Sequence, residues 1–137
     1  MGGVGISAEG NKRKDIGVLL LHGFAGDPAE ISPLRDYLTR KGYYVECPLL
    51  PGHGLDKKAL SQTTHEDWIG AAQQAFLALS ERYGRVVVIG FSMGGLLAVN
   101  LWNYGFSGMV AVNMPIYYWN FKNILRNLFT DPGQYCR

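Results

Sequence analysis

This sequence has few cysteines, no long apolar run and no excess of one charge. Its 137 residues include two cysteines, Cys47 and Cys136, which cannot form a disulfide framework or a metal-binding set. With 13 basic and 11 acidic residues, the chain lacks the concentrated positive charge of nucleic-acid-binding proteins. The apolar runs at 16–21 and 86–89 are far shorter than the ~20 residues that span a bilayer, and the start lacks the pattern of a signal peptide. We therefore expect a cytoplasmic domain with reduced thiols, no bound metal or nucleic acid and no membrane span.

Apolar segments of strand length alternate with amphipathic helical segments along the chain. Segment 17–22 is continuously apolar, which is typical of a strand covered on both faces in a parallel sheet. Ser32 is predicted to cap one helix, and Thr63 with Glu66 to form a capping box for the next. Strands are predicted at 17–22, 43–48, 86–90 and 109–113, an irregular loop at 49–62, and helices at 32–41, 63–83 and 96–104. This order predicts an α/β fold, a three-layer sandwich around a parallel sheet with right-handed crossovers.

The sharpest chemical signal is the segment Gly90-Phe91-Ser92-Met93-Gly94, which has the form G-x-S-x-G. It directly follows the strongest predicted strand and directly precedes a buried helix, as a nucleophile elbow requires. The alternative is a glycine-rich turn in which Ser92 only caps the helix. A dinucleotide-binding turn is excluded, because the glycines here do not give G-x-G-x-x-G. The context therefore favours Ser92 as a catalytic nucleophile.

A second signal, His22-Gly23-Phe24-Ala25-Gly26, lies at the end of the first predicted strand. Acyl transfer needs two backbone N–H groups directed at the developing oxyanion, one from the residue after the nucleophile and one from a neighbouring loop. Met93 and Phe24 occupy those positions. His22 itself is interpreted as a packed histidine that hydrogen-bonds loop carbonyls, because the oxyanion site uses backbone groups.

The chain resembles the α/β-hydrolase superfamily, within its carboxylesterase, monoacylglycerol-lipase and serine-aminopeptidase-like group. Three segments in the family's order carry the resemblance: His22-Gly23-Phe24, Pro51-Gly52-His53-Gly54 and Gly90-Phe91-Ser92-Met93-Gly94-Gly95. It implies the strand order second, first, third, fourth, a partial hydrolase sheet, and the Phe24 loop beside Ser92. It also implies hydrolysis of short- to medium-chain acyl esters or monoacylglycerols without a cofactor, with thioesterase, acyltransferase or peptidase activity as alternatives.

Three other reactive side chains are given structural roles. The resemblance implies that His53 holds its glycine-rich loop and is not the general base. His65 is predicted to be solvated in the first turn of a helix, and Cys47 to be a small core residue.

Residues 1–15 are predicted to form a polar, Gly-rich leader and residues 16–114 the hydrolase core. Segment 115–137 has apolar residues at helical spacing, which is typical of a core-facing amphipathic helix. The resemblance implies instead, or in addition, the start of a lid over an acyl pocket. The aromatic pocket candidates are Tyr117, Tyr118, Trp119 and Phe121.

A serine hydrolase also needs a base and an acid, which follow the serine along the chain in this superfamily. After Asn113 the only acidic residue is Asp131, and no histidine follows His65. The catalytic acid and histidine are therefore absent from this sequence, which resembles the N-terminal half of a hydrolase. We expect a truncated chain or fragment with little activity. The alternative is an inactive split subunit or interaction module that associates through an exposed edge strand at 109–113.

Overall fold

The computed structural model describes residues 15–115, and within them the chain forms one parallel sheet. Its strands are β1 (Ile16–Leu21), β2 (Tyr44–Glu46), β3 (Arg85–Phe91) and β4 (Gly108–Val112). They lie in the order β2-β1-β3-β4, and all three pairings are parallel. The predicted α/β class and the strand order second, first, third, fourth are confirmed. All strands consequently end at one edge of the sheet, where the loops after β1, β3 and β4 meet.

Helical segments connect the strands. They are α1 (Ser32–Arg40), α2 (Lys57–Ser61), α3 (His65–Arg82), α4 (Met93–Asn100) and a short 3-10 helix (Trp102–Tyr104). Within the described residues, no helix is both long enough and apolar enough to cross a membrane.

Successive residues of β1 pack into two separate hydrophobic layers. Leu19 and Leu21 belong to a cluster that includes side chains of α3 and α4. Val18 and Leu20 belong to a second cluster, which Leu34 and Leu38 of α1 cover from the other face. All of these β1 side chains are buried, which explains why the strand has no polar residue in its interior.

Both predicted helix caps need correction. Residue Ile31, and not Ser32, occupies the cap position of α1, and no side chain caps the helix there. The capping box of α3 is formed by Thr64 with Asp67, one residue beyond the predicted pair. The Thr63 hydroxyl has other partners: it donates to the Leu60 carbonyl at 2.9 Å and accepts from the Trp68 indole N–H at 3.1 Å.

Two other predicted boundaries were wrong. The segment taken as an irregular loop at 49–62 contains α2, whose first turn is capped by the Asp56 carboxylate at 2.8 Å from the Ala59 nitrogen. Helix α4 begins at Met93, directly after Ser92, and ends at Asn100. The predicted leader and lid lie outside the described residues, apart from Asp15 and Pro115.

Candidate active site

Ser92 occupies a sharp turn between β3 and α4. Its backbone has φ +50° and ψ −116°, a strained conformation for a residue with a side chain. The Ser92 N–H donates to the Val112 carbonyl at 2.9 Å, and the Ser92 carbonyl accepts from the Gly95 N–H at 3.0 Å. These bonds tie the turn to β4 on one side and to α4 on the other. The exposed side chain of Ser92 stands at the carboxyl edge of the sheet.

Glycines surround this turn because the backbones on either side lie too close for a side chain. A Cβ atom at Gly90 would overlap the Gly94 backbone, and one at Gly94 would overlap the carbonyl groups of Leu21 and His22. A Cβ at Gly95 would lie 2.9 Å from the Cβ of Met114. The tight packing therefore needs glycine at each of these positions, whatever the role of the serine.

The loop after β1 lies directly beside Ser92. A Cβ atom at Gly23 would lie 3.5 Å from the Ser92 Cβ, and the loop turns through Ala25 at φ +57°. Met93 is the first residue of α4, so its N–H has no acceptor within the helix. Among the hydrogen bonds of residues 15–115, none uses the N–H of Met93 or of Phe24. Two candidate donors thus come from the two loops that flank the serine.

His22 is fully buried behind this loop. Its Nδ1 donates to the Gly23 carbonyl at 2.9 Å, and its Nε2 accepts from the Leu50 N–H at 3.1 Å. Burial lowers the pKa of His22, which favours the neutral ring that these two bonds require. The interpretation of His22 as a packed, hydrogen-bonded histidine is confirmed, and neither ring nitrogen is available for catalysis.

His53 is also buried, and its Nδ1 donates to the Pro51 carbonyl at 3.0 Å. Its ring packs edge-on against three other rings, with centroid distances of 5.1 Å to His22, 5.9 Å to Phe24 and 5.3 Å to Trp68. We call these four residues the histidine–aromatic cluster. The other ring nitrogen of His53, Nε2, is buried without a hydrogen-bond partner among residues 15–115.

Trp68 ties this cluster to α3, a role that the sequence did not reveal. Its Nε1 donates to the Pro51 carbonyl at 3.0 Å and to the Thr63 hydroxyl at 3.1 Å, while its ring packs 5.7 Å from that of Phe24. In the sequence, Trp68 falls in the apolar spacing of the helix predicted at 63–83, which indicates only a core residue. A tryptophan one turn into a helix that follows a Pro-Gly-His-Gly loop is the signal that could have indicated the contact.

A cleft of about 480 Å³ opens in front of Ser92. Its walls are mainly apolar, and the polar side chains among them are those of Ser92, Glu30 and Asn113. The lining consists of Gly23, Phe24, Glu30, Ile31, Pro33, Leu34, Phe91, Ser92, Val112 and Asn113. Asn113 directly follows β4 and has φ +51°. Among residues 15–115, the residues other than glycine with positive φ are Ala25, Ser92 and Asn113. Each follows a strand at this edge of the sheet.

The remaining sequence candidates lie away from the cleft or outside the described residues. His65 is exposed as the first residue of α3. Cys47 is half-buried against the second hydrophobic cluster, and burial raises the pKa of its thiol to about 11. Within residues 15–115, no three metal-binding side chains come together. The predicted pocket aromatics all fall in the segment that the structure does not describe: Tyr117, Tyr118, Trp119 and Phe121.

Three known proteins resemble this chain closely enough to compare in detail. The thermostable monoacylglycerol lipase of Bacillus sp. (strain H-257) is 35% identical over 103 residues, which cover 74% of this chain and 41% of the lipase. The carboxylesterase of Bacillus subtilis (strain 168) is 34% identical over 108 residues, which cover 77% of this chain and 44% of that protein. A solved structure from work on LipS and LipT, two metagenome-derived lipolytic enzymes, superposes with a TM-score of 0.76 at 32% identity. That match covers 87% of this chain and 49% of the solved one.

The chain therefore spans less than half the length of each of these relatives. The sequence profile of the alpha/beta hydrolase family matches residues 18–134, which include β1 from Val18 onward, the other three strands and the turn at Ser92. Because this match takes in most of the chain, and the parallel sheet has the same order of strands that the resemblance implied, the chain belongs to the alpha/beta hydrolase family.

Proposed function

We propose that this chain provides the nucleophile and the oxyanion site of a serine hydrolase that acts on carboxylic esters. The observation that carries the proposal is the strained backbone of Ser92, at the sheet edge and open to the cleft. A serine that only caps a helix uses its hydroxyl to bond the first turn, whereas Ser92 makes no side-chain capping bond to α4. The turn instead leaves the hydroxyl available for a substrate.

In the proposed reaction, the Ser92 hydroxyl attacks the ester carbonyl and its proton passes to a base. The N–H groups of Phe24 and Met93 donate to the oxyanion of the tetrahedral intermediate, and the alcohol leaves with a proton from the same base. Water then attacks the acyl-enzyme and releases the carboxylic acid. The first turn of α4 adds the positive end of its helix dipole to the stabilisation of the oxyanion.

The proposed substrates are short- to medium-chain acyl esters or monoacylglycerols. Two observations support them: the mainly apolar walls of the cleft, and the names of the relatives, a monoacylglycerol lipase and a carboxylesterase. Thioesters, amides and acyl acceptors other than water use the same nucleophile and oxyanion chemistry. They are therefore the alternatives to test against esters.

The base and its acid partner are proposed to come from polypeptide outside residues 1–137. His22 uses both ring nitrogens in hydrogen bonds, and the Nδ1 of His53 is bonded to its own loop. His65 lies on α3 and is not among the cleft residues. For the 137-residue chain tested alone we expect trace turnover, because loss of the catalytic histidine in a serine protease costs about 10⁶ in rate.

The test measures hydrolysis of p-nitrophenyl butyrate by the protein that carries this sequence, beside its Ser92→Ala variant. We expect the variant to lose at least about a thousandfold in kcat. Ser107→Ala is the matched control, because Ser107 is exposed just before β4, at the opposite edge of the sheet. Turnover that survives Ser92→Ala would contradict the assignment of the nucleophile.

A second assay addresses the base. If the 137-residue chain alone turns over this ester efficiently, and loses that activity with Ser92→Ala, the nucleophile is supported and the external base is excluded. His53→Gln would then show whether the unpartnered ring nitrogen of His53 takes the proton.

A further inference from the structure

Among residues 15–115, one ionisable side chain lines the cleft in front of Ser92, that of Glu30. Glu30 lies in the segment between β1 and α1, and its carboxylate packs against the backbone of Gly26. This contact holds the charged end close to the loop that bears Phe24. Every other residue of the lining is apolar, glycine, or a neutral hydroxyl or amide.

No cation neutralises this carboxylate within the described part of the chain. Over residues 15–115 the Glu30 side chain makes neither an ion pair nor a hydrogen bond. The field of Glu30 also reaches the interior beside the cleft. Burial is the main influence on the pKa of His22 and lowers it, whereas the negative charges of Glu30 and Asp27 act in the opposite direction.

We propose that Glu30 makes the cleft selective by charge, so that it accepts cationic and neutral esters and disfavours anionic ones. The assignment of esters as ligands rests on the proposed function, whereas the negative charge that Glu30 contributes to the cleft does not. A charged substituent of a bound ester would share the cleft with this carboxylate, and the lining formed by residues 15–115 offers no second ionisable side chain to compensate. The carboxylate product of each hydrolysis is disfavoured in the same way, which promotes its release.

Coulomb's law sets the expected size of the effect. Two unit charges about 8 Å apart in water change a rate about twofold, and the ratio between a cationic and an anionic reagent about fivefold. Salt reduces both, because Glu30 is exposed. Selectivity of this size orders substrates of different charge but does not exclude any of them.

The test measures the potential at Ser92 directly with a thiol in place of the hydroxyl. Ser92→Cys is made in a background with Cys47→Ala and Cys136→Ser, so that the chain carries one thiol. Its thiolate attacks the sulfur of a methanethiosulfonate and expels a sulfinate, a reaction that needs no catalytic base. Rates are measured for three such reagents, with trimethylammonioethyl, sulfonatoethyl and methyl groups, and then again after Glu30→Gln.

We expect the ratio of the cationic to the anionic rate to fall about fivefold on Glu30→Gln, and the neutral rate to serve as the reference. A change in the pKa of the new thiol alters all three rates equally and cancels in the ratio. Glu81→Gln is the control, since this exposed residue lies in the last turn of α3 and is not part of the cleft lining. Circular dichroism of each variant checks that the fold is retained.

A ratio that is unchanged by Glu30→Gln, or changed equally by Glu81→Gln, would overturn the proposal. Because the thiol reaction works without ester hydrolysis, this result is distinct from a failure of the proposed function. If instead the protein does not hydrolyse esters but shows the fivefold change, the charge selectivity is supported. Only the assignment of esters as its ligands is then contradicted.

Discussion

The carboxyl edge of the sheet is covered more completely on the β1 side of Ser92 than on the β4 side. Behind β1, His22 and His53 are buried at 0% and 2% exposure, and the histidine–aromatic cluster closes the wall with rings and hydrogen bonds. Beyond β3, strand β4 leaves Met109 37% and Val110 46% exposed, and Asn113 faces solvent. One wall of the cleft is complete within residues 15–115, and the other is open.

This difference bears on the side from which the proposed base and acid would approach Ser92. The complete wall supplies two candidate backbone donors and two buried histidines. Both ring nitrogens of His22 are hydrogen-bonded, whereas His53 is bonded through Nδ1 and its Nε2 has no partner among residues 15–115. The open wall begins at β4, whose second edge has no strand beside it among the described residues. Since the relatives are more than twice as long as the matched segments, we propose that the missing base and acid approach Ser92 from the β4 side.

The largest effect is expected from Gly94→Ala, which tests whether the turn depends on the complete wall. The new methyl group would overlap the backbone carbonyls of Leu21 and His22, which cannot move without distorting β1. We expect a loss of about 3 kcal/mol or more in the free energy of unfolding, measured in urea. Gly70→Ala is the matched control. A Cβ there meets nothing within 4 Å, so the change in mid-α3 should stabilise the protein by up to about 1 kcal/mol. Equal effects of the two changes would contradict this account.

The features of the structure also differ in how well they could be predicted from the sequence. The turn at Ser92 was predictable because two glycines, a buried strand and a buried helix all constrain one short segment. The strand order followed from the family resemblance and not from the pattern alone. By contrast, the cap of α3 was misplaced by one residue, because two adjacent threonines look alike in the sequence. In the fold the Thr64 hydroxyl accepts from the Asp67 N–H, whereas the Thr63 hydroxyl bonds to Leu60 and Trp68.

The links within the histidine–aromatic cluster could not be predicted, because they join residues that are far apart along the chain. The sequence indicates a loop histidine at position 53 and a core tryptophan at position 68, with nothing to link the two. Their common partner is the Pro51 carbonyl, which only the folded chain brings to both. Such non-local hydrogen bonds leave no periodic trace in the sequence.

A smaller effect is expected from Trp68→Phe, which keeps the ring in the cluster and removes its N–H. Two hydrogen bonds, to Pro51 and Thr63, are lost, so we expect a loss of about 1–2 kcal/mol in the free energy of unfolding. In the active protein kcat should fall as the Phe24 loop loosens, with KM less affected. Trp102→Phe provides the control, because Trp102 is 73% exposed and should change stability by less than about 0.5 kcal/mol. If both changes cost the same, the cluster does not secure this wall.

On the open wall, Val110→Lys is expected to reduce self-association of the 137-residue chain. An apolar strand with a free edge favours pairing with a second copy, and a lysine on that strand opposes it. We expect the dissociation constant to rise about tenfold, or about 1.4 kcal/mol, by sedimentation equilibrium. Val99→Lys adds the same charge at a 45% exposed site on α4 and should have less effect. A chain that is monomeric without either change would contradict association through β4.

The smallest effect is expected from the protonation of His22. The direction in which the free energy of unfolding changes with pH tests whether the wall behind β1 is closed. Burial lowers the pKa of His22 in the folded state below the ordinary value of 6.5. As the pH falls below that value, the unfolded chain takes up the proton first, so the free energy of unfolding decreases towards the folded-state pKa. We expect His22→Gln to show a smaller decrease than the parent between pH 7.5 and pH 5, because the amide can replace the hydrogen bonds but does not titrate. His65→Gln, which removes an exposed histidine, should retain the decrease of the parent. Identical pH profiles for the parent and His22→Gln would show that His22 protonates freely, and the wall behind β1 would then be as open as the one beyond β4.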